Sequence, residues 1–492
     1  MRRSLIIAAC IVFLLASGPA LAQEPSLPQG LGEKETSADS QEDPSLPSGL
    51  GGGKDQKDGD GPALPSGLGG ETEKEDAEPE QEKGWFGRSG KLPFQLVGFW
   101  DTRAGTRLQD DPHQKQLSLA ETRLQLEASK HWQGTSFVIK NDFLADAAAE
   151  DHGLDLRRGE GPIDLRSAYV SLSPLPALDL KVGRQVLTWG TGDQLFINDM
   201  FPKDWESFFI GRDTEYLKAP SNSIRASLFL DTFNLDLVYT PRFNPDRYID
   251  GQRVSYYNPL LGRIAGRDDV LSADIPDDWF GDDEIALRLY RNVSGMELAA
   301  YAYDGYWKSP GGFSFQNQEA IFPELSVYGV SARGAWGPGI GNVELGYYDS
   351  NEDRDGDDPE IKNSQFRALA GYEVEPLKNL TVGGQYYLEH MMDYEEYEDH
   401  LPPGSEKADE NRHVLTLRLT RLYWMQTLEL SLFTFYSPSD EDAYLRPRAV
   451  YDVTDNWRLE VGGNLFFGEQ DHTFFGQFRD NTNAYAGVRY SF

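Results

Sequence analysis

The chain has 492 residues, a formal net charge of −34, a charged fraction of 26% and an aromatic fraction of 12%, with 49 glycines. So acidic a balance excludes a nucleic-acid binder and a protein held on acidic membranes by charge. Beyond its first residues no apolar run approaches the roughly 20 residues of a membrane helix, which excludes a helical membrane protein.

Met1-Arg2-Arg3 is a short cationic start, Leu5 to Leu15 an apolar core, and Ala20-Leu21-Ala22 a small-residue cleavage site. Together they predict a signal peptide over 1–22. The rival reading takes Ile7-Ala8-Ala9-Cys10 as a lipoprotein box, but it leaves almost no apolar stretch before Cys10 and a long one after it. Cys10 is the single cysteine, so the processed chain would hold neither a disulfide nor a thiolate metal site.

Residues 23–83 carry 16 acidic residues and 5 lysines among Pro, Gly and Ser. With scarcely any large apolar side chain they predict a disordered periplasmic linker. Three similar eight-residue units interrupt it, beginning at Pro25, Pro44 and Pro62. Each holds a leucine pair around a Pro-containing turn: Leu27 and Leu31, Leu46 and Leu50, Leu64 and Leu68. One reading is a duplicated linker. The other is a partner motif, because a pure spacer has no physical need for paired leucines and tandem copies raise the effective concentration at a partner site. That partner would be a periplasmic or inner-membrane transport component.

From Gly84 to Phe492 the sequence alternates with period two, as strands do. Leu124, Leu126 and Ala128 oppose Arg123, Gln125 and Glu127, and Ile224, Ala226 and Leu228 oppose Arg225 and Ser227. Ile285, Leu287 and Leu289 then oppose Arg288 and Tyr290. Leu415, Leu417 and Leu419 oppose Thr416 and Arg418, and Leu459, Val461 and Leu465 oppose Glu460 and Asn464. A water-soluble sandwich and a membrane barrel share this pattern; the apolar row is core in one and faces lipid in the other. The signal peptide and the last strand favour the barrel. About 18 such segments are legible from Phe94 to Phe492, with 16 as the alternative even number, which predicts an all-β transmembrane antiparallel barrel over 84–492, wide enough to hold water.

Short polar turns such as Val293-Ser294-Gly295 alternate with long acidic excursions at 244–283, 349–360 and 393–411, predicted to be extracellular and to lie beside lipid and lipopolysaccharide. Trp100, Trp132, Tyr239, Trp307, Trp336, Tyr423, Trp424, Tyr436 and Trp457 suit the two interfacial girdles. On the predicted lumen side stand Arg123, Arg225, Arg288, Arg418 and Arg489. They read either as members of solvated charge pairs or as a basic ladder favouring anionic solutes.

The densest signal runs from Val182 to Asp213. Gly183-Arg184-Gln185 leads to Trp189-Gly190 and then to an Asn198-Asp199 loop too aromatic for a water-exposed turn. Its composition predicts an inward-folded loop that narrows the pore, with Arg184, Trp189, Asp193, Asn198, Asp199 and Lys203 as constriction candidates; the opposing reading is a loop with no part in transport. Arg184 shares parity with Leu180, Val182 and Val186, so either the strand is bulged there or those residues face inward. This stretch resembles bacterial outer-membrane porin-like barrels, including alginate-export-type barrels and barrels found with exporters. The chain departs from alginate exporters in its acidity and in lacking a continuous basic run through the constriction.

The last strand places Val488, Tyr490 and Phe492 on one face and Arg489 and Ser491 on the other. It resembles the closing strand and assembly signal of bacterial outer-membrane barrels, and so implies that location and contact with the barrel assembly machinery. The resemblances imply a porin or export channel for a small or anionic solute, with the N-terminal tether in the periplasm. The alternative is a closed structural or adhesion barrel. The 7 histidines show no triad or metal-ligand spacing, so neither an enzyme nor a cofactor is expected.

Overall fold

The computed structural model describes residues 93–149 and 153–492. The signal peptide, the linker and the six motif leucines, Leu27, Leu31, Leu46, Leu50, Leu64 and Leu68, lie outside the described residues.

The first third of the barrel consists of β1 (Gln95–Arg107), β2 (Leu117–Trp132), β3 (Thr135–Asp146), β4 (Ile163–Leu175), β5 (Leu178–Val186) and β6 (Pro220–Phe229). The second comprises β7 (Asn234–Thr240), β8 (Glu284–Val293), β9 (Met296–Tyr306), β10 (Glu324–Trp336), β11 (Gly339–Ser350) and β12 (Gln365–Leu377). The last comprises β13 (Leu380–Met391), β14 (Asn411–Tyr423), β15 (Leu428–Ser437), β16 (Asp442–Asp452), β17 (Trp457–Phe467) and β18 (Asn483–Ser491). These form one sheet of 18 strands in which sequence neighbours pair antiparallel. β18 returns to β1, with Phe99 opposite Ser491 and Arg107 opposite Asn483. The sheet is therefore closed at the upper of the two expected strand numbers, and no edge is left with unpaired backbone groups.

Burial separates the two faces. On β14, Leu415 and Leu417 remain 45% and 41% exposed, whereas Val414 and Thr416 are 2% and 8% exposed. The same contrast recurs on β1, β2 and β17. The apolar rows thus point away from the interior, which rules out the sandwich: a belt of this extent suits hydrocarbon and not water. Trp100, Trp132, Trp336, Tyr423, Trp424, Tyr436 and Trp457 are exposed among these rows. Trp307 is a correction. It is buried and stacks on Tyr348 with ring centroids 5.7 Å apart, so it belongs to the interior and not to a girdle.

Short turns gather at the end where β1 begins and β18 ends, the periplasmic end by the convention of such barrels, and long loops gather at the other. One connection contributes more than any other to the interior. Residues 187–219, between β5 and β6, supply Leu187, Ile197, Met200, Phe201, Phe208, Phe209, Ile210 and Leu217 to the main apolar cluster inside the barrel, where Val254, Trp307, Phe475 and Phe478 join them from other connections. Within this segment lies the one-and-a-half-turn helix α1 (Trp205–Ile210). It begins where the Asp204 side chain accepts the Ser207 N–H at 2.7 Å, and it stops at Gly211, whose φ of 97° only glycine adopts readily.

Candidate functional site

The chain leaves β5 at Val186 and turns into the bore. Trp189 packs edge-on against Phe201, centroids 4.8 Å apart, and tilts against Tyr301 of β9 at 6.2 Å. Next to it, Glu344 of β11 points inward, 1% exposed. Its carboxylate accepts the backbone N–H groups of Thr191, of Gly192 at 2.8 Å and of Asn198 at 3.3 Å, together with the Asn198 side-chain amide at 3.0 Å. One wall carboxylate therefore satisfies four donors that the loop would otherwise bury unpaired.

The wall makes room for this contact with glycine. Gly329 of β10 and Gly346 of β11 are register partners. A Cβ on Gly329 would lie 1.7 Å from the Asn198 carboxamide oxygen, and one on Gly346 would lie 2.6 Å from an Ile197 methyl. Tyr348 donates its hydroxyl to the Ile197 carbonyl, and Asn342 donates to the Thr191 carbonyl at 3.0 Å. Further round the ring Asp193 pairs with Arg418 of β14, and its N–H is accepted by Gln385 of β13 at 3.1 Å. Burial lifts the Asp193 carboxyl to about 6 against the pull of Arg418.

The second half of the loop reaches the opposite wall. Phe209 lies 5.5 Å from Tyr444 of β16 and 5.2 Å from Phe466 of β17, both edge-on. Arg103 of β1 donates to the Gly211 carbonyl at 3.1 Å, Arg446 of β16 to that of Arg212 at 3.2 Å, and Asn483 of β18 to that of Phe209 at 3.0 Å. Arg212 itself pairs with Glu121 of β2 at 2.7 Å. Because β11 stands nine strands from β2 in a ring of 18, the contacts at Glu344 and Glu121 lie on opposite walls, and the loop spans the lumen between them.

Asp213, at the end of this crossing, sits among three arginines. Its Oδ2 lies 3.4 Å from Arg489, 3.7 Å from Arg103 and 3.8 Å from Arg448. Burial disfavours the charged form, yet Arg489, Arg448 and Arg103 together hold its carboxyl down at about 2.

The structure places the other sequence candidates as follows. Asp199 pairs with Lys203 at 3.1 Å and accepts from Thr188 at 2.7 Å, so these side chains brace the loop internally. Arg184 stands apart from the loop. Register pairs it with Ala168 and Asn222, and its guanidinium donates to the carbonyls of Leu165, at 2.5 Å, and Leu156. It therefore ties β5 to β4 and to the β3–β4 connection, while Gln185 takes the fully buried inward position.

The inward arginines are paired. Arg123 meets Glu121 at 2.7 Å and Asp142, Arg225 meets Asp236 at 3.2 Å, Arg288 meets Glu297 at 2.6 Å, and Arg489 meets Asp101 at 2.9 Å. At the closing strand, the Phe492 N–H and carbonyl both bond Gly98, at 2.9 and 3.0 Å, drawing the terminal residue into the seam with β1.

The sequence reading missed Glu344, Arg103, Arg448, and the receiving residues Gly329, Gly346, Tyr444 and Phe466. A signal existed for the aromatics. Phe433, Phe435, Tyr444 and Phe466 are apolar residues at inward positions of strands whose outward rows are also apolar, which marks a stretch of wall covered on both faces.

Fold and site together define a closed antiparallel β-barrel whose lumen is crossed by one of its own loops. No family model matches the chain, and no curated protein is similar to it in sequence. Solved structures that align with it include a porin. A mutant of the Rhodopseudomonas blastica porin is 11% identical, with a TM-score of 0.36, over 81% of this chain and 100% of that one. Acinetobacter baumannii OccAB3 is 10% identical with a TM-score of 0.48, covering 81% and 99% of the two chains. Pseudomonas aeruginosa OccD3 is 10% identical with a TM-score of 0.47, covering 81% and 91%. These do not bear on the alginate-export resemblance.

Proposed function

We propose that this protein is a bacterial outer-membrane channel for small anionic solutes, closed at rest by residues 187–219. The observation that carries the reading is the crossing itself: contacts at Glu344 on one wall and at Glu121 on the other leave the loop across the bore. An 18-stranded barrel without such a loop holds water along its axis. The anion preference rests on Arg103, Arg448 and Arg489. With Asp213 withdrawn, three guanidiniums face the lumen around the place its carboxylate held, next to Asp101 and Glu460, which orient them. Planar-bilayer recordings under a salt gradient test this. The expected reversal potential is anion-selective, and clear cation selectivity would refute the preference.

The tether over 23–83 is proposed to dock a periplasmic or inner-membrane transport component through its leucine pairs, and the barrel assembly machinery to read Val488, Tyr490 and Phe492. Pull-downs with a synthetic triple repeat, beside one with every motif leucine changed to serine, are expected to differ in the proteins they recover. Equal recovery would remove the tether proposal.

A closed structural or adhesion barrel is the second reading, favoured by the number of walls that grip the loop. It differs in one respect: the loop would then never leave.

A further inference from the structure

A separate feature lies on the outer wall, near the periplasmic end. The outward row of β14 runs Leu415, Leu417, Leu419 and then Arg421, ahead of the exposed Tyr423. An arginine on a lipid-facing row is costly unless it reaches the interface or finds an anion. Arg421 donates to the Lys378 carbonyl in the β12–β13 turn at 3.0 Å and lies 5.5 Å from the Tyr423 ring centroid. No carboxylate of the described residues pairs with it.

Beside this cation is a shallow, largely open groove lined by Leu377, Leu380, Leu419, Leu430, Ser431 and Leu432. The turn that follows Tyr423 holds Trp424, Met425 and Gln426 at φ of 49°, 55° and 71°, a left-handed run of three non-glycine residues. That conformation leaves Trp424 66% and Met425 97% exposed at the rim, where aromatic and apolar side chains meet lipid headgroups. A guanidinium with no carboxylate partner among the described residues, a second cation in the adjoining turn and an open leucine face beside them together match one occupant: a phosphodiester with an acyl chain.

We propose that this groove binds one anionic glycerophospholipid of the inner leaflet. Its phosphate sits on Arg421 with Lys378 as the second cation, and its acyl chain lies along Leu380, Leu419, Leu430 and Leu432. The site is independent of the channel reading, since it faces lipid and not the lumen.

The test uses the mature full chain in detergent, titrated with phosphatidylglycerol and followed by native mass spectrometry. One retained lipid is expected. The double variant Arg421→Ala/Lys378→Ala should lose at least tenfold in affinity, whereas Lys130→Ala, which removes an exposed cation near the periplasmic end of β2, should not change it. Heat-modifiable gel migration confirms that each variant is folded, and Arg421→Lys, which keeps the charge, should retain part of the binding. Inorganic phosphate should not compete, and diacylglycerol should bind at least tenfold more weakly. Equal retention by wild type and the double variant would overturn the proposal. So would competition by inorganic phosphate at the affinity of the lipid, or diacylglycerol binding as tightly as phosphatidylglycerol.

Discussion

Glu344→Ala is expected to raise the open probability of the channel by roughly a hundredfold while leaving the barrel assembled. The carboxylate accepts four N–H groups from Thr191, Gly192 and Asn198, and of these only the Asn198 side-chain amide has a second acceptor on the wall, the Val330 carbonyl of β10 at 3.4 Å. Leaving a buried donor unpaired costs about 1–3 kcal/mol. Losing even two such bonds therefore shifts the balance between docked and withdrawn loop by about 3 kcal/mol, close to two factors of ten. The strand that carries Glu344 keeps its ladders to β10 and β12, because the substitution touches only the lumen face. Glu344→Gln preserves the shape and one acceptor but turns an amide N–H₂ toward the same donors, so an intermediate effect is expected. Single-channel recordings decide the matter: an unchanged open probability in Glu344→Ala would mean that this contact does not hold the loop.

The wall was legible in the sequence because lipid imposes a strict rule on every second residue. Rows such as Leu415, Leu417 and Leu419, or Leu459, Val461 and Leu465, tolerate little else, and the inward parity of Arg123, Arg225, Arg288, Arg418 and Arg489 follows from them. The loop was legible for a different reason, the excess of aromatic residues between Trp189 and Phe209. Its docking places were not. Glu344 looks like any polar residue on a lumen row, and nothing local distinguishes a carboxylate that meets water from one that meets three backbone N–H groups and a side-chain amide.

The same limit explains two displaced residues. Trp307 resembles an interfacial tryptophan at the end of β9, but its ring enters the core on Tyr348. Arg184 shares the parity of the apolar residues on its strand. It does lie on the outward row of its strand, and the bulge is found one strand over, between Lys140 and Asn141 in the pairing of β3 with β4. The guanidinium bonds two carbonyls instead of entering the lumen. Inward aromatics such as Tyr444 and Phe466 break the polar lumen rule because the loop fills that part of the bore, so the wall there behaves as core.

The loop's role as the closing element is tested most directly by removing it. Val186 and Pro220 are register partners at the ends of β5 and β6, so a four-residue Gly-Ser turn in place of residues 188–218 can connect them without disturbing the ladder. Excision removes Trp189, Phe208, Phe209 and Asp213 from the bore and exposes the inner faces of Tyr444 and Phe466 to water. That costs stability, but the sheet stays closed through β1 and β18. Planar-bilayer recording of the excised chain beside the intact one should give large, steady conductance steps in the first and rare or much smaller ones in the second. Equal conductance in the two, or silence from an excised barrel that is intact by circular dichroism and heat-modifiable gel migration, would contradict a channel closed by residues 187–219.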